Sequence, residues 1–470
     1  MNIQAPDAEA VRPRGAAPVE EAQEFLDAHP EIVAIDLVLV DANGIGRGKI
    51  VRRHELMAIY RNGRHLPGSI LGLDVTGEDV EETGLVWSDG DADRRAWPVP
   101  GSLVAMPWTS PPRAQVQLTL HELDGSPMMA DPRHVLAWQD ERLRRQGRRP
   151  VLAFELEFYL LDREPCADGT PRPARLPVTG ERPETIQVYG VQELDRLEPF
   201  IDAVYRAAEA QRLPVETMIS EYAPGQYELT LRHRDDALRA ADDLAMLKRL
   251  LRGLAARHGM IASFMAKPFA DRAGSGMHLH ASLADETGAN LFADREGQVV
   301  PLLAHAVAGL LDTMADGMLV FAPHQNSWRR FSAGSYSPIA PNWGTNNRSV
   351  AVRLPAGPAP TRHLEQRVAG VDANPYLVGA AILAGIRQGI ERALDPGEPV
   401  SGNGYATAKT SEIPSSWHAA IGRAAGSAFL RDEALGPVMH DVFLALKRAE
   451  YARFARDISP FEYRTYLETV

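Results

Sequence analysis

Four short segments of this chain alternate with period two. That pattern marks them as strands, because successive side chains of an extended backbone point to opposite faces. In Phe154-Glu155-Leu156-Glu157-Phe158-Tyr159-Leu160, the residues Phe154, Leu156, Phe158 and Leu160 share one face, and Glu155 and Glu157 project from the other. The segment 226–231 sets Gln226, Glu228 and Thr230 against Tyr227, Leu229 and Leu231. The segment 277–283 sets His278, His280 and Ser282 against Met277, Leu279 and Leu283, and 363–367 puts His363, Glu365 and Arg367 together. A solvated strand face usually carries Lys, Thr, Arg and Glu in mixed order, whereas these polar positions are carboxylates and imidazoles two residues apart. Carboxylates gathered on one sheet face repel unless they are protonated or neutralised, and divalent cations neutralise them most directly. A mostly oxygen donor set with one imidazole suits Mg²⁺ or Mn²⁺ better than zinc.

Downstream lies an arginine series, Arg329, Arg330, Arg348, Arg353, Arg362 and Arg367. Arg353 is expected on a strand from Ser349 to Leu354, on the face of Ser349 and Ala351. Guanidinium forks beside a metal cluster are what phosphoryl and carboxylate substrates need, so the combination describes an ATP-using site. No G-x-x-x-x-G-K-[ST] loop and no kinase signature accompanies it, which argues against the common nucleotide-binding folds.

The chain has 470 residues, one cysteine (Cys166) and a net charge of −12. The single cysteine rules out a disulfide framework or a Cys-based metal cluster within the chain. The acidic balance argues against nucleic-acid binding. The longest apolar run considered, Ile32 to Val40, falls well short of a membrane span and is broken by Asp36. With no signal-peptide pattern at the start, the expectation is a cytoplasmic enzyme with neither membrane nor nucleic acid among its partners.

Residues 1–18 read as a disordered tail, 19–122 as a small N-terminal domain of mixed β character, and 123–470 as a larger catalytic domain, giving an α+β protein. Asp131-Pro132 should start a helix that Gly147 ends. Residues 235–258 have helical leucine spacing closed by Gly259, and Asn374-Pro375 should open a helix running to Leu394 that is apolar almost all round.

Six ordered segments resemble the glutamine synthetase superfamily. They are Phe154-Glu-Leu-Glu-Phe158, Glu221-Tyr-Ala-Pro-Gly-Gln-Tyr-Glu228, Gly274-Ser-Gly-Met-His-Leu-His280, Asn326-Ser-Trp-Arg-Arg330, Asn347-Arg-Ser-Val-Ala-Val-Arg353, and Arg362-His-Leu-Glu-Gln-Arg367 with Asn374-Pro-Tyr376. The resemblance implies a β-grasp-like N-terminal domain and a catalytic domain with a curved antiparallel sheet surrounded by helices. It also implies ATP as phosphoryl donor and two or more Mg²⁺ or Mn²⁺ ions, one held by Glu157, Glu221 and Glu228 and the other by Glu155, His278 and Glu365. Glu216, His280 and Ser282 match positions lining the nucleotide pocket, and Arg348 and Arg353 match phosphate-binding arginines. Arg330, Arg367 and the backbone at Gly274 match glutamate-holding positions. Arg330 and Arg348 are the implied catalytic pair, and the implied assembly is a homo-dodecamer with sites between subunits.

Departures from the family pattern bear on the second substrate. Pro67 precedes Gly68-Ser69 where ammonia-using members carry an aspartate, Tyr336 stands where they carry the flap glutamate, and Ala273 replaces an asparagine. The pattern is more similar to the γ-glutamylpolyamine (γ-glutamylputrescine) synthetase branch. It implies a primary amine such as putrescine, which would enter a pocket bordered by Tyr336, Trp343 and, less directly, Trp87 or Trp97. Those last two read first as core residues. The alternatives are an ammonia-using glutamine synthetase, or a synthetase for an alkylamine or amino alcohol.

Overall fold

The computed structural model describes residues 11–293, 298–406 and 413–470. Two sheets organise the chain. The first is built from β1 (Ala34–Val40), β2 (Gly46–Arg52), β3 (Arg64–Pro67), β4 (Asp93–Pro98), β5 (Val104–Met106) and β6 (Arg113–His121). Its order is β2-β1-β6-β4-β3 with β5 beside β6, and β1 and β6 run parallel. Helices α1 (Val19–Ala28) and α2 (Leu56–Asn62) accompany it. Residues 1–10 of the expected tail lie outside the described residues. The part that follows is tied down: Ala17 is buried and its N–H donates to the Pro98 carbonyl.

The second sheet comprises β7 (Arg149–Asp162), β8 (Val215–Ser220), β9 (Gln226–Leu231), β10 (Met260–Ser263), β11 (Met277–Ala284), β12 (Trp343–Thr345), β13 (Val352–Leu354) and β14 (Leu364–Gln366). Its order is β12-β13-β14-β11-β7-β9-β8, with β10 also on β7. The sheet is mixed and not purely antiparallel as expected. The turn after β12 brings the chain back alongside its own start, so β12 and β13 pair in parallel. The expected strand 349–354 shortens to β13 because Ser349 is taken up in a turn, its N–H and hydroxyl both donating to Asn347 Oδ1. The segment 363–367 keeps ladder pairing only over β14.

Helices α3 (Pro132–Arg144), α4 (Val191–Ala210), α5 (Ala237–Arg257), α6 (Pro301–Phe321), α7 (Pro375–Glu391), α8 (Trp417–Ala425), α9 (Pro437–Phe454) and α10 (Pro460–Tyr466) complete the described elements. Side-chain caps set five of the described starts: Asp131 accepts from Arg133 N, Asp236 from Arg239 N, Asn374 from Tyr376 N and Leu377 N, Ser416 from Ala419 N, and Ser459 from Glu462 N. The buried helix expected at 376–394 is α7, and it packs against α6. Their close approach depends on glycine, since a Cβ on Gly309 would lie 2.0 Å from the Gly385 carbonyl oxygen. By length and composition α6 alone among the described helices could cross a membrane, but 72% of its most apolar window is buried inside the fold. Its Asp312 and Asp316 pair with Arg392 and Arg423.

The two sheets share one apolar core. A polar seam also joins them: Gln117 Nε2 on β6 donates to Asp242 Oδ1 at 2.9 Å and to the Tyr376 hydroxyl at 2.6 Å. Asn374 Nδ2 donates to the Asp41 carbonyl at 2.8 Å.

Candidate active site

Strand register builds the site. On one face of β7, Phe154, Leu156 and Phe158 go to the core, and Glu155 and Glu157 point the other way into partial exposure. Glu155 lies directly opposite His278 of β11, and Glu157 directly opposite Glu228 of β9. Across β11, His280 opposes Glu365 of β14, which in turn opposes Arg353 of β13. Residues from five strands thus form one polar surface on an otherwise apolar sheet.

Two sets of donor atoms converge there. Glu155, His278 and Glu365 each offer a ligand atom within 4.8 Å of the others, and so do Glu157, Glu228 and His278. The expected trio Glu155, His278 and Glu365 is therefore brought together. Of the other expected trio, Glu157 and Glu228 meet, His278 takes the third place, and Glu221 stands outside the group. The Glu221 Oε2 accepts from Tyr222 N at 2.9 Å.

Charge is unevenly answered across this surface. Burial pushes the Glu155 carboxyl up, but its contacts with His278 (2.9 Å) and His280 (2.9 Å) outweigh it and hold the group far below the usual range. Burial likewise opposes Glu365, yet Arg367, His280 and His278 bring it down to about 2. Arg353 Nη1 donates to its Oε2 at 2.8 Å and Arg367 Nη1 to its Oε1. The opposite holds on the β9 side. Burial, then the charges of Glu155, Glu157 and Glu221, push Glu228 up to about 10. Burial and Glu157 push Glu221 up to about 7. Such a pair of crowded acids fits a divalent cation, which supplies the positive charge that Arg348 and Arg367 bring only in part.

Arg330 is buried at the end of the 325–330 turn, with Nη1 donating to the Val368 carbonyl at 3.1 Å. Gly274, Gly276 and Gly370 make its cradle, since a Cβ on Gly274 would sit 2.7 Å from Arg330 Cγ. The Gly274 carbonyl also accepts from Gln226 Nε2 at 3.0 Å. Arg367 is bound to Glu365 and buried. Arg348 is exposed, and its charge reaches Glu221.

Beside the donor row opens a cavity of about 660 Å³ whose wall includes Glu155, Glu216, His280, Ser282 and His363. The three residues expected to line a nucleotide pocket, Glu216, His280 and Ser282, meet here. Arg348 and Arg353 are not among the lining residues, because Arg353 is spent on Glu365. Sequence reading assigned no role to His363, although its ring lies 5.1 Å from that of His280, tilted at 56° to it. Its place on the polar face of 363–367 was the signal.

Tyr336 is exposed on a turn at φ +58°. Ala273 follows the Phe269 segment and its carbonyl accepts from the Tyr159 hydroxyl at 2.6 Å. The aromatic border expected around the amine site is only partly realised. Trp343 is core, its indole N–H shared between the Pro396 and Gly397 carbonyls. Trp97 is buried as its first reading had it, and Trp87 is exposed, against that reading.

A model of the glutamine synthetase catalytic domain matches residues 129–466. The chain belongs to the glutamine synthetase family, whose members are carbon–nitrogen ligases that use ATP and a divalent metal. Among curated relatives it is 40% identical over 451 residues (96% of this chain, 94% of the relative) to gamma-glutamylputrescine synthetase PuuA of Escherichia coli (strain K12). It is also 31% identical to a glutamate–isopropylamine ligase of a Pseudomonas species, over 82% of this chain and 83% of that one. A solved GmaS/ADP complex superposes with a TM-score of 0.81 at 28% identity, covering 96% of this chain and 99% of the other.

Proposed function

We propose that the protein joins the γ-carboxylate of glutamate to the primary amine of a polyamine such as putrescine, at the cost of one ATP and through γ-glutamyl phosphate. The observation that carries this reading is the donor row of Glu155, Glu157, Glu228, His278 and Glu365, joined to the family resemblance that puts Tyr336, and Pro67 of a neighbouring subunit, where ammonia-using members carry acids. Those two residues cannot hold and deprotonate ammonium as carboxylates would. The similarity to a γ-glutamylputrescine synthetase supports the same reading.

In this reading two or more Mg²⁺ or Mn²⁺ ions would be held by Glu155, His278 and Glu365 and by Glu157, Glu221 and Glu228. When bound, they screen the phosphates from the carboxylate and polarise the phosphoryl group. Glu216, His280 and Ser282 line the seat of the nucleotide. Arg330, with Gly274 beside it and Arg367 behind it, holds glutamate so that a γ-carboxylate oxygen faces the terminal phosphorus. Arg348, exposed and within electrostatic reach of Glu221, stabilises the charge on the phosphoryl group as ADP departs, and Arg353 supports it from Glu365. The amine nitrogen then attacks the acyl carbon, phosphate leaves, and the nitrogen gives up a proton. Two further parts of the reading are a homo-dodecamer, whose neighbouring subunits bring the Pro67 turn to each site, and a cytoplasmic location, which suits a chain whose lone cysteine has no disulfide partner.

Phosphate release with glutamate, ATP and a panel of putrescine, isopropylamine, ethanolamine and ammonium tests the amine. Putrescine is expected to give the highest kcat/KM. A higher value for ammonium would return the protein to the ammonia-using enzymes.

A further inference from the structure

The rim of the site carries two tyrosine rings turned outward together. Tyr222 and Tyr336 lie with centroids 6.2 Å apart and planes inclined at 53°. They are 51% and 55% exposed, although large aromatic side chains ordinarily bury. Neither hydroxyl makes a hydrogen bond with a described residue, so the rings are not placed for the sake of their polar ends.

Both rings are held where they are by backbone. Tyr336 adopts the left-handed region at φ +58°, which costs a non-glycine residue roughly 1–2 kcal/mol. The surrounding turn fixes it: Ser335 Oγ is 3.0 Å from the Arg330 carbonyl and 2.7 Å from that of Ser332, and the Tyr405 hydroxyl donates to the Ser337 carbonyl at 3.2 Å. Tyr222 follows Glu221 directly, and its N–H holds the Glu221 carboxylate at 2.9 Å. The rings therefore form a V beside the acid Glu221, on a turn tied to the Arg330 carbonyl.

Aromatic faces carry negative potential and attract a cation within about 6 Å of the ring centroid. Rings this close admit no third group between them, but the open side of the V offers two faces at once. We propose that Tyr222 and Tyr336 form a seat for the second, unreacting ammonium of a linear diamine. The reacting nitrogen must reach the acyl carbon near Arg330, so a seat at the exposed rim takes the far end of the substrate and makes Tyr222 a specificity-determining residue. The proposal rests on the amine-ligase reading and names the substrate class that the site favours.

Putrescine and n-butylamine have the same carbon chain and differ in the second ammonium, so their kcat/KM ratio reads the seat alone. In Tyr222→Ala the putrescine-to-butylamine ratio is expected to fall roughly 3- to 30-fold. Tyr222→Leu, which keeps apolar bulk without the ring, should fall equally, and it stands in if the alanine variant folds poorly. Tyr222→Phe should keep the ratio within about twofold of the parent, because the ring face is unchanged. An unchanged ratio in both Tyr222→Ala and Tyr222→Leu, with both amines losing rate together, would overturn the seat while leaving the ligase intact. If the unaltered enzyme releases no glutamate-dependent phosphate with any amine, the ligase reading itself falls.

Discussion

Two buried polar clusters in this molecule are built from similar residues and behave oppositely. At the seam between the sheets, Asp242 receives Arg133 through Nε and Nη2, each at 3.0 Å, and the Tyr376 hydroxyl at 2.8 Å. Its charge is answered by one guanidinium and its remaining lone pairs by neutral donors. On the face of β7, β9, β11 and β14 the balance is incomplete. Glu155 and Glu365 are met by histidines and arginines, whereas Glu221 and Glu228 face other carboxylates. A polar cluster that closes on itself stabilises a fold, and one left open is poised for a ligand that brings the missing charge.

The largest expected contrast comes from removing one acid from each cluster. Glu228→Gln should lower phosphate release by roughly 1000-fold or more, through loss of several kcal/mol of phosphoryl-transfer stabilisation, and leave the metal-free fold intact, because the carboxyl it replaces is already held protonated there. Asp242→Ala should instead cost about 3–5 kcal/mol of stability by leaving Arg133 buried without its partner. Urea unfolding and steady-state rates, measured side by side on both variants, check the contrast. If Glu228→Gln unfolds as readily as Asp242→Ala, the acid row is structural and the distinction fails.

Proton linkage sharpens the difference. The folded Glu221 and Glu228 hold protons that an unfolded chain gives up near pH 4.5, so the metal-free protein should lose stability as pH rises from there toward 10. Glu365 works in the other direction: its contribution is present above pH 4.5 and is lost as pH falls toward about 2. Binding of Mg²⁺ at pH 7.5 should release about one proton, and its affinity should rise with pH. Calorimetry in two buffers of different ionisation enthalpy counts those protons. Equal heats in both would show that the acids are already ionised.

The smallest effect concerns Trp343, once a candidate for the amine border. Trp343→Phe should cost about 0.5–1.5 kcal/mol, from the lost bond to the Pro396 and Gly397 carbonyls. Relative KM values across the amine panel should stay as they were, and a selective change for putrescine would move Trp343 back to the rim.

Much of the site was legible because strand periodicity is a local property. Glu155 with Glu157, His278 with His280, and Gln226 with Glu228 share faces whatever the rest of the chain does. The capped starts at Asp131 and Asn374 were legible for the same reason. What could not be read was which face meets which. His278 belongs to both donor groups because register sets it opposite Glu155 while Glu157 sits within reach of its other nitrogen. Arg353 proved to be a partner of Glu365, and Trp343 to be core, through contacts to residues far along the chain. Tyr222 escaped notice because nothing in the sequence places it beside Tyr336, more than a hundred residues away.

The amino-acid sequence by itself determined the chemistry available, namely carboxylates and imidazoles paired on strand faces and an arginine series after them. These follow from side-chain identity and a two-residue period, which need no partner. The tertiary structure alone decided which charges are answered and which stay open. That outcome depends on strand register and burial, since the energy of a carboxylate is set by what lies within a few ångströms of it and how little water remains there.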